Sequence, residues 1–109
     1  GLPLLFPEAH VHKTRFYTVK VGVIGDTVPF AGEFPIRSDH LLTGLFAMEA
    51  DLQVCLARRG YFNEKIVDIQ VYCGRRLVEQ RFDKICNLGY AVAMAIEHDL
   101  RKWPLLLGV

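Results

Sequence analysis

Between Lys13 and Ile24 the chain alternates, with Arg15, Tyr17, Val19, Val21 and Val23 on one face and Phe16, Thr18, Lys20 and Gly22 on the other. A period of two is that of a strand, and the valines mark its buried side. Gly25-Asp26 then reads as a turn. The segment Thr27 to Arg37 is again extended, but Pro29, Gly32 and Pro35 interrupt it. Proline has no amide to give to a ladder, so an irregular edge strand is expected here.

At Ser38 the period changes. Ser38 suits a helix N-cap, and Asp39 complements the positive end of the helix dipole. Leu41, Leu45, Met48, Leu52 and Cys55 then recur at steps of four and three, which is one apolar stripe along a helix. Arg58 and Arg59 suit the negative end, and Gly60 the left-handed stop. The stretch from Ile66 to Cys73 returns to a period of two, with Val67, Ile69, Val71 and Cys73 together, and Gly74 closes it. Arg75–Phe82 fits two readings: Val78, Phe82 and Ile85 have helical spacing, while Val78, Gln80 and Phe82 fit one face of a hairpin strand. Asp83 to Trp103 reads as helix, with Ile85, Leu88, Val92, Ile96 and Trp103 inward and Pro104 as its end. Gly89, Ala91, Ala93 and Ala95 leave little bulk, so a neighbour can approach this helix closely.

An offset of 48 residues superposes the halves, placing Val19 on Val67, Phe34 on Phe82 and Asp51, Leu52 on Asp99, Leu100. If the halves are an internal duplication, 75–82 is a strand and the domain is a double β-β-α unit. The expected class is α+β: a mainly antiparallel sheet with two helices on one face, in the order β-β-α-β-(β)-α. Residues 1–12 form an irregular apolar arm punctuated by Pro3 and Pro7, 13–103 one globular domain, and 104–109 an apolar tail.

Composition narrows the function classes. Half of the 109 residues are apolar and 23% are charged, enough for a core and unlike a disordered chain. The net charge of +1 supplies no long-range field toward nucleic acid or anionic membrane. No apolar run approaches the ~18 residues of a membrane span. The opening Gly1–Pro7 lacks the basic region and cleavage site of a signal peptide. The chain starts on Gly1 rather than Met, as is expected of either a trimmed or a processed fragment. Cys55, Cys73 and Cys86 are an odd set without a Cys-x-x-Cys pair, which argues against a disulfide framework and for structural thiols in a reducing, cytoplasmic compartment.

Candidate chemistry is sparse. His10 and His12 could share a metal from one side of an extended segment but have no third ligand nearby. His40 is expected in the first turn of the first helix, as a polar residue at the helix start. His98 and the pairs Glu49/Asp51 and Glu97/Asp99 read as solvated helix faces, since i, i+2 carboxylates diverge. Gly22–Asp26 resembles a nucleotide-binding turn, but no helix begins there to hold a phosphate. No catalytic residue, metal site, cofactor or small-molecule ligand is inferred. Arg58, Arg59, Lys65, Arg75, Arg76, Arg81 and Lys84 concentrate positive charge, with Tyr61 and Phe62 between them and four acids diluting it. This basic patch could meet an anionic membrane surface, RNA or an acidic partner. Leu2, Leu4, Leu5 and Phe6 at one end, and Leu105, Leu106 and Leu107 at the other, are apolar segments outside regular elements. Either they fold back over the core or they dock on another subunit.

Phe16-Tyr17-Thr18-Val19-Lys20-Val21, then Pro29-Phe30, then Ser38-Asp39 opening a helix, then Tyr61-Phe62 before an apolar strand, together resemble the core of rhabdovirus-type matrix proteins over residues 16 to 73. That resemblance implies a non-enzymatic, virion-associated protein that self-associates through an extended terminal arm and contacts membrane and nucleocapsid. The final helix has no counterpart in it. The expectation is thus a non-catalytic, homo-oligomeric assembly domain. The rival readings are a small oligomeric enzyme with a His/carboxylate site at a subunit interface, and a binder of RNA or an acidic partner.

Overall fold

A computed structural model describes residues 14–26 and 32–103. Strands β1 (Phe16–Val23), β2 (Gly32–Arg37), β3 (Ile66–Cys73) and β4 (Arg76–Lys84) form one antiparallel sheet in the order β2-β1-β3-β4. Helices α1 (Leu41–Arg58) and α2 (Leu88–Arg101) follow β2 and β4, each entered through a 3-10 turn, Ser38–His40 and Ile85–Asn87. The α+β class and element order read from the sequence are those observed, and 76–84 is a strand.

The alternation of β1 and β3 decides which face is covered. Tyr17, Val19, Val21 and Val23 lie beside Val67, Ile69 and Val71, all buried, and the helices close over them with Leu45, Met48, Leu52, Leu56, Leu88, Val92 and Ile96. The opposite face of the sheet carries Thr18, Lys20, Gln70 and Tyr72. The helix stripe ends on Leu56 rather than Cys55: Cys55 is half-buried, whereas Leu56, one residue on, is fully enclosed. The second helix begins later than its periodicity suggested, because β4 runs on to Lys84 and the 3-10 turn takes Ile85–Asn87.

The two halves repeat the same path. Ser38 N donates to Arg15 O at 2.9 Å, and Ile85 N donates to Lys65 O at 3.0 Å, so each 3-10 turn is tied to the residue before its half's first strand. The correspondence has no single offset. Phe16 matches Ile66, fifty residues on, whereas Leu41 matches Leu88, forty-seven on, because a turn of only two residues joins β3 to β4. Leu52 therefore corresponds to Asp99, not to Leu100. Ser38 also departs from the expected cap: its hydroxyl accepts from the Arg15 amide at 2.8 Å and caps no helical amide.

A bulge in β4 re-aims one side chain. Val71 pairs with Glu79, but Tyr72 pairs with Leu77, so Val78 is the extra residue. The inserted residue inverts the inside–outside alternation beyond it. Arg76, opposite Cys73, thereby points to the helix side and Leu77 to the open face.

Candidate functional site

The most strongly interacting polar group is Asp99, read from the sequence as solvated and in fact fully buried at 0% exposure. It follows Val92 and Ile96 at steps of four and three, which puts it on the inner stripe of α2. Tyr17 Oη donates to Asp99 Oδ2 at 2.7 Å, and Trp103 Nε1 donates to the same oxygen at 3.3 Å. The bulge-directed Arg76 guanidinium grips both oxygens, at 3.0 and 3.1 Å. The Trp103 ring in turn lies under Arg15, whose guanidinium is 3.8 Å from its centroid. Burial alone would raise the Asp99 pKa, but hydrogen bonds from Arg76, Tyr17 and Trp103 outweigh it and hold the carboxyl below its ordinary value. Burial, and then the bond to Asp99, push the Tyr17 phenol well above its ordinary range. Oδ2 accepts from Tyr17, Arg76 and Trp103 and Oδ1 from Arg76, and neither oxygen faces solvent. The cluster joins β1, β4 and the end of α2.

The remaining polar candidates do not converge. Among the described residues, no three His, Cys, Asp or Glu side chains are grouped so as to hold a metal. His40 Nδ1 lies 3.5 Å from Asp39 Oδ1 at the surface, a contact the 3-10 turn allows although neighbours on an α-helix diverge. His98 is exposed, and Cys86 is the exposed thiol beside half-buried Cys55 and Cys73. An open depression of about 320 Å³ on the uncovered sheet face is lined by Thr18, Lys20, Glu33, Tyr72 and Arg75, with Lys20 over the Tyr72 ring at 5.1 Å. His10, His12 and the apolar ends Leu2, Leu4, Leu5, Phe6, Leu105, Leu106 and Leu107 lie outside the described residues.

The seven basic residues are dispersed. Arg58, Arg59, Lys65 and Lys84 gather at the end of the sheet where β1 finishes and β3 begins. Arg75 and Arg76 lie at the other end, in the β3–β4 turn and the start of β4. Four of the seven are engaged: Arg59 with Asp26 at 3.0 Å, Arg76 with Asp99, Arg81 with Asp83 at 3.3 Å, and Lys84 with Glu64 at 2.7 Å. Lys65 lies over the Tyr61 ring at 5.1 Å. Arg58 and Arg75 are exposed, with no carboxylate among the described residues in ion-pair reach.

The outer face of α1 is the least expected surface. Leu42 is 64% exposed, Phe46 62% and Val54 52%. Ala47, Ala50 and Ala57 lie between them, also exposed, and the polar positions there are the uncharged Thr43 and Gln53. At 3.6 residues per turn these positions span an arc of about 140° that contains no charge. The charged residues of α1 are Glu49, Asp51 and Arg58, all outside that arc. Glu49 turns sideways toward α2, its side chain filling the space that a side chain at Gly89 would take. The other half supplies an internal comparison. Forty-seven residues on, Ala50 and Val54 correspond to Glu97 and Arg101, both exposed on α2. One helix presents to water an acid and a base where its counterpart presents alanine and valine.

Compared with known proteins, the chain matches no family model, no curated protein and no solved structure.

Proposed function

We propose that this chain is a non-catalytic assembly domain that acts by associating with copies of itself. The observation that carries the reading is the uncharged outer face of α1. A helix apolar on both sides is suited to being covered on both sides, and among the described residues the core covers only the inner one. The two ends add support. Arg15 stacks on Trp103, and the segments bearing Leu2, Leu4, Leu5, Phe6 and Leu105, Leu106, Leu107, which lie outside the described residues, are apolar in sequence.

A matrix-like role is the specific form of this reading that the resemblance over residues 16–73 implies. In that role Arg58 and Arg75, rather than the basics already spent on internal carboxylates, would meet an anionic membrane or nucleoprotein. Sedimentation or light scattering over a concentration series tests the general reading. Mean mass should rise with concentration, and Phe46→Glu should suppress the rise while circular dichroism stays unchanged. A constant monomer mass up to millimolar protein removes the reading.

A further inference from the structure

Resting on the reading of self-association, but on a surface apart from α1, we propose that β4 pairs with β4 of a second copy. The two strands run antiparallel about a two-fold axis at Phe82 and join two subunits into one continuous sheet. The phase of the ladder leaves this edge open. In an antiparallel pair, residues that exchange hydrogen bonds alternate with residues that do not. Ile85 N donates to Lys65 O, one step beyond the pairing of Lys84 with Ile66, so Asp83, Arg81 and Glu79 bond to β3. Gln80, Phe82 and Lys84 therefore turn their N–H and C=O groups outward, and all three are exposed. Among the described residues no backbone group outside the sheet bonds to Gln80 or Phe82. At the other edge, Ser38 N donating to Arg15 O gives β2 the same phase, with Glu33, Pro35 and Arg37 outward. Pro35 has no N–H and closes that edge at its middle. The internal repeat makes the contrast direct: counting back from Ser38 and from Ile85, the place of Pro35 is held in β4 by Phe82.

Charge selects the occupant and its register. A two-fold axis at Phe82 sets Arg81 against the partner's Asp83 on the helix side of the sheet, twice over, and Gln80 against the partner's Lys84 on the open side. The amides of Phe82 and Gln80 donate to the carbonyls of the partner's Phe82 and the partner's Lys84. The Lys84 amide stays with Asp83 Oδ1, to which it donates at 2.7 Å. Phe82, 58% exposed, meets the partner's Phe82. Moving the axis to Arg81 or to Asp83 would set like charges face to face. Moving it to Gln80 would drive Phe82 against the partner's Val78, the bulged residue, whose side chain packs on the core. Charged side chains on an edge discourage strand addition in general. Here they exclude the neighbouring registers and favour this one.

The test traps disulfides under mild oxidation in the full chain carrying Cys86→Ser, which removes the exposed thiol, with peptide mass spectrometry to locate each bond. Phe82→Cys should link to itself, since opposed residues that exchange hydrogen bonds lie ~5.5 Å apart between Cα atoms, within disulfide reach. Gln80→Cys should not, because two such residues lie ~13 Å apart at ~3.3 Å per residue, but it should link to Lys84→Cys in a mixture. Adding Phe82→Pro to both chains of that mixture should lower the yield at least tenfold with circular dichroism unchanged, since β2 already accommodates Pro35 in the equivalent place. Charge reversal serves if the proline variant unfolds. Arg81→Asp and Asp83→Arg should each lower the self-linking of Phe82→Cys at least tenfold, and mixing the two chains should restore it. Self-linking of Gln80→Cys as efficient as that of Phe82→Cys would overturn the proposal, as would links indifferent to the charge reversals. A mass that rises with concentration while none of these links forms would leave self-association standing on another surface and also overturn the β4 seam. A constant monomer mass without links would remove both.

Discussion

At Asp99 one carboxylate accepts from a phenol, an indole and a guanidinium, and every donor comes from a different place in the chain. Such a group is costly to disturb, because each donor left behind is desolvated without a partner. Asp99→Asn should destabilise the fold by about 3 kcal/mol, measured by urea denaturation at neutral pH. The carboxyl is held below its ordinary value of 3.8 in the folded state. Its ionised form therefore contributes stability that is complete well above pH 3.8 and is lost as the pH falls below it. The variant should lack that part of the acid dependence, and equal acid slopes in the two proteins would contradict the assignment. The repeat suggests a compensated version, since Leu52 holds the equivalent place in α1. Asp99→Leu alone should be severe, because Tyr17 is left with a buried, unpartnered hydroxyl. Adding Tyr17→Phe should recover about 1–3 kcal/mol. The cluster was legible in part. Asp99 sits on the phase of Leu88, Val92 and Ile96, so helical periodicity alone marks it as inward-facing. Arg76 was not legible, because its direction depends on the single-residue bulge at Val78, which no local pattern announces.

The elements themselves followed closely from periodicity, since period-two valines in β1 and β3 and the leucine stripe of α1 leave little choice of face. What periodicity did not convey is that α1 has two apolar faces: a search for one stripe stops when it finds the inner one. The steps Leu42, Phe46, Ala50, Val54 are all of four residues and free of charge, which is the signal that was present. The two faces make opposite predictions. Leu52→Ala opens a fully enclosed site and should cost about 2–5 kcal/mol. Phe46→Glu, less than two turns away, should change monomer stability by no more than about 0.5 kcal/mol, read from denaturation at concentrations too low for association. Comparable losses at both positions would mean that Phe46 belongs to the monomer's own core.

At the scale of the whole molecule, charge and apolar surface are separated in a way the linear sequence disguises. Seven basics that look like one patch between residues 58 and 84 are spread along the sheet, six towards its two ends and Arg81 in the middle of β4, and four of them are paired with carboxylates of the chain. Neutralising Arg58, Arg59, Arg75 and Arg76 together would therefore break the Asp26 and Asp99 pairs and confuse binding with unfolding. Arg58→Ser with Arg75→Ser separates the two. Cosedimentation with anionic vesicles at low salt should fall at least several-fold while the melting temperature holds, if basic contacts serve the assembly. Wild type that ignores such vesicles would reduce both arginines to ordinary surface. The terminal segments bear on the same question. Leu2, Leu4, Leu5 and Phe6 can contribute several kcal/mol of apolar burial at ~25 cal/mol per Å², before the cost of ordering them, and that gain is available either on a neighbour or at home. Deleting residues 1–7 distinguishes the two. A lowered association state with an unchanged monomer melting temperature places the segment between subunits. A lowered melting temperature with unchanged mass places it over its own core, and the association would then rest on the folded domain alone.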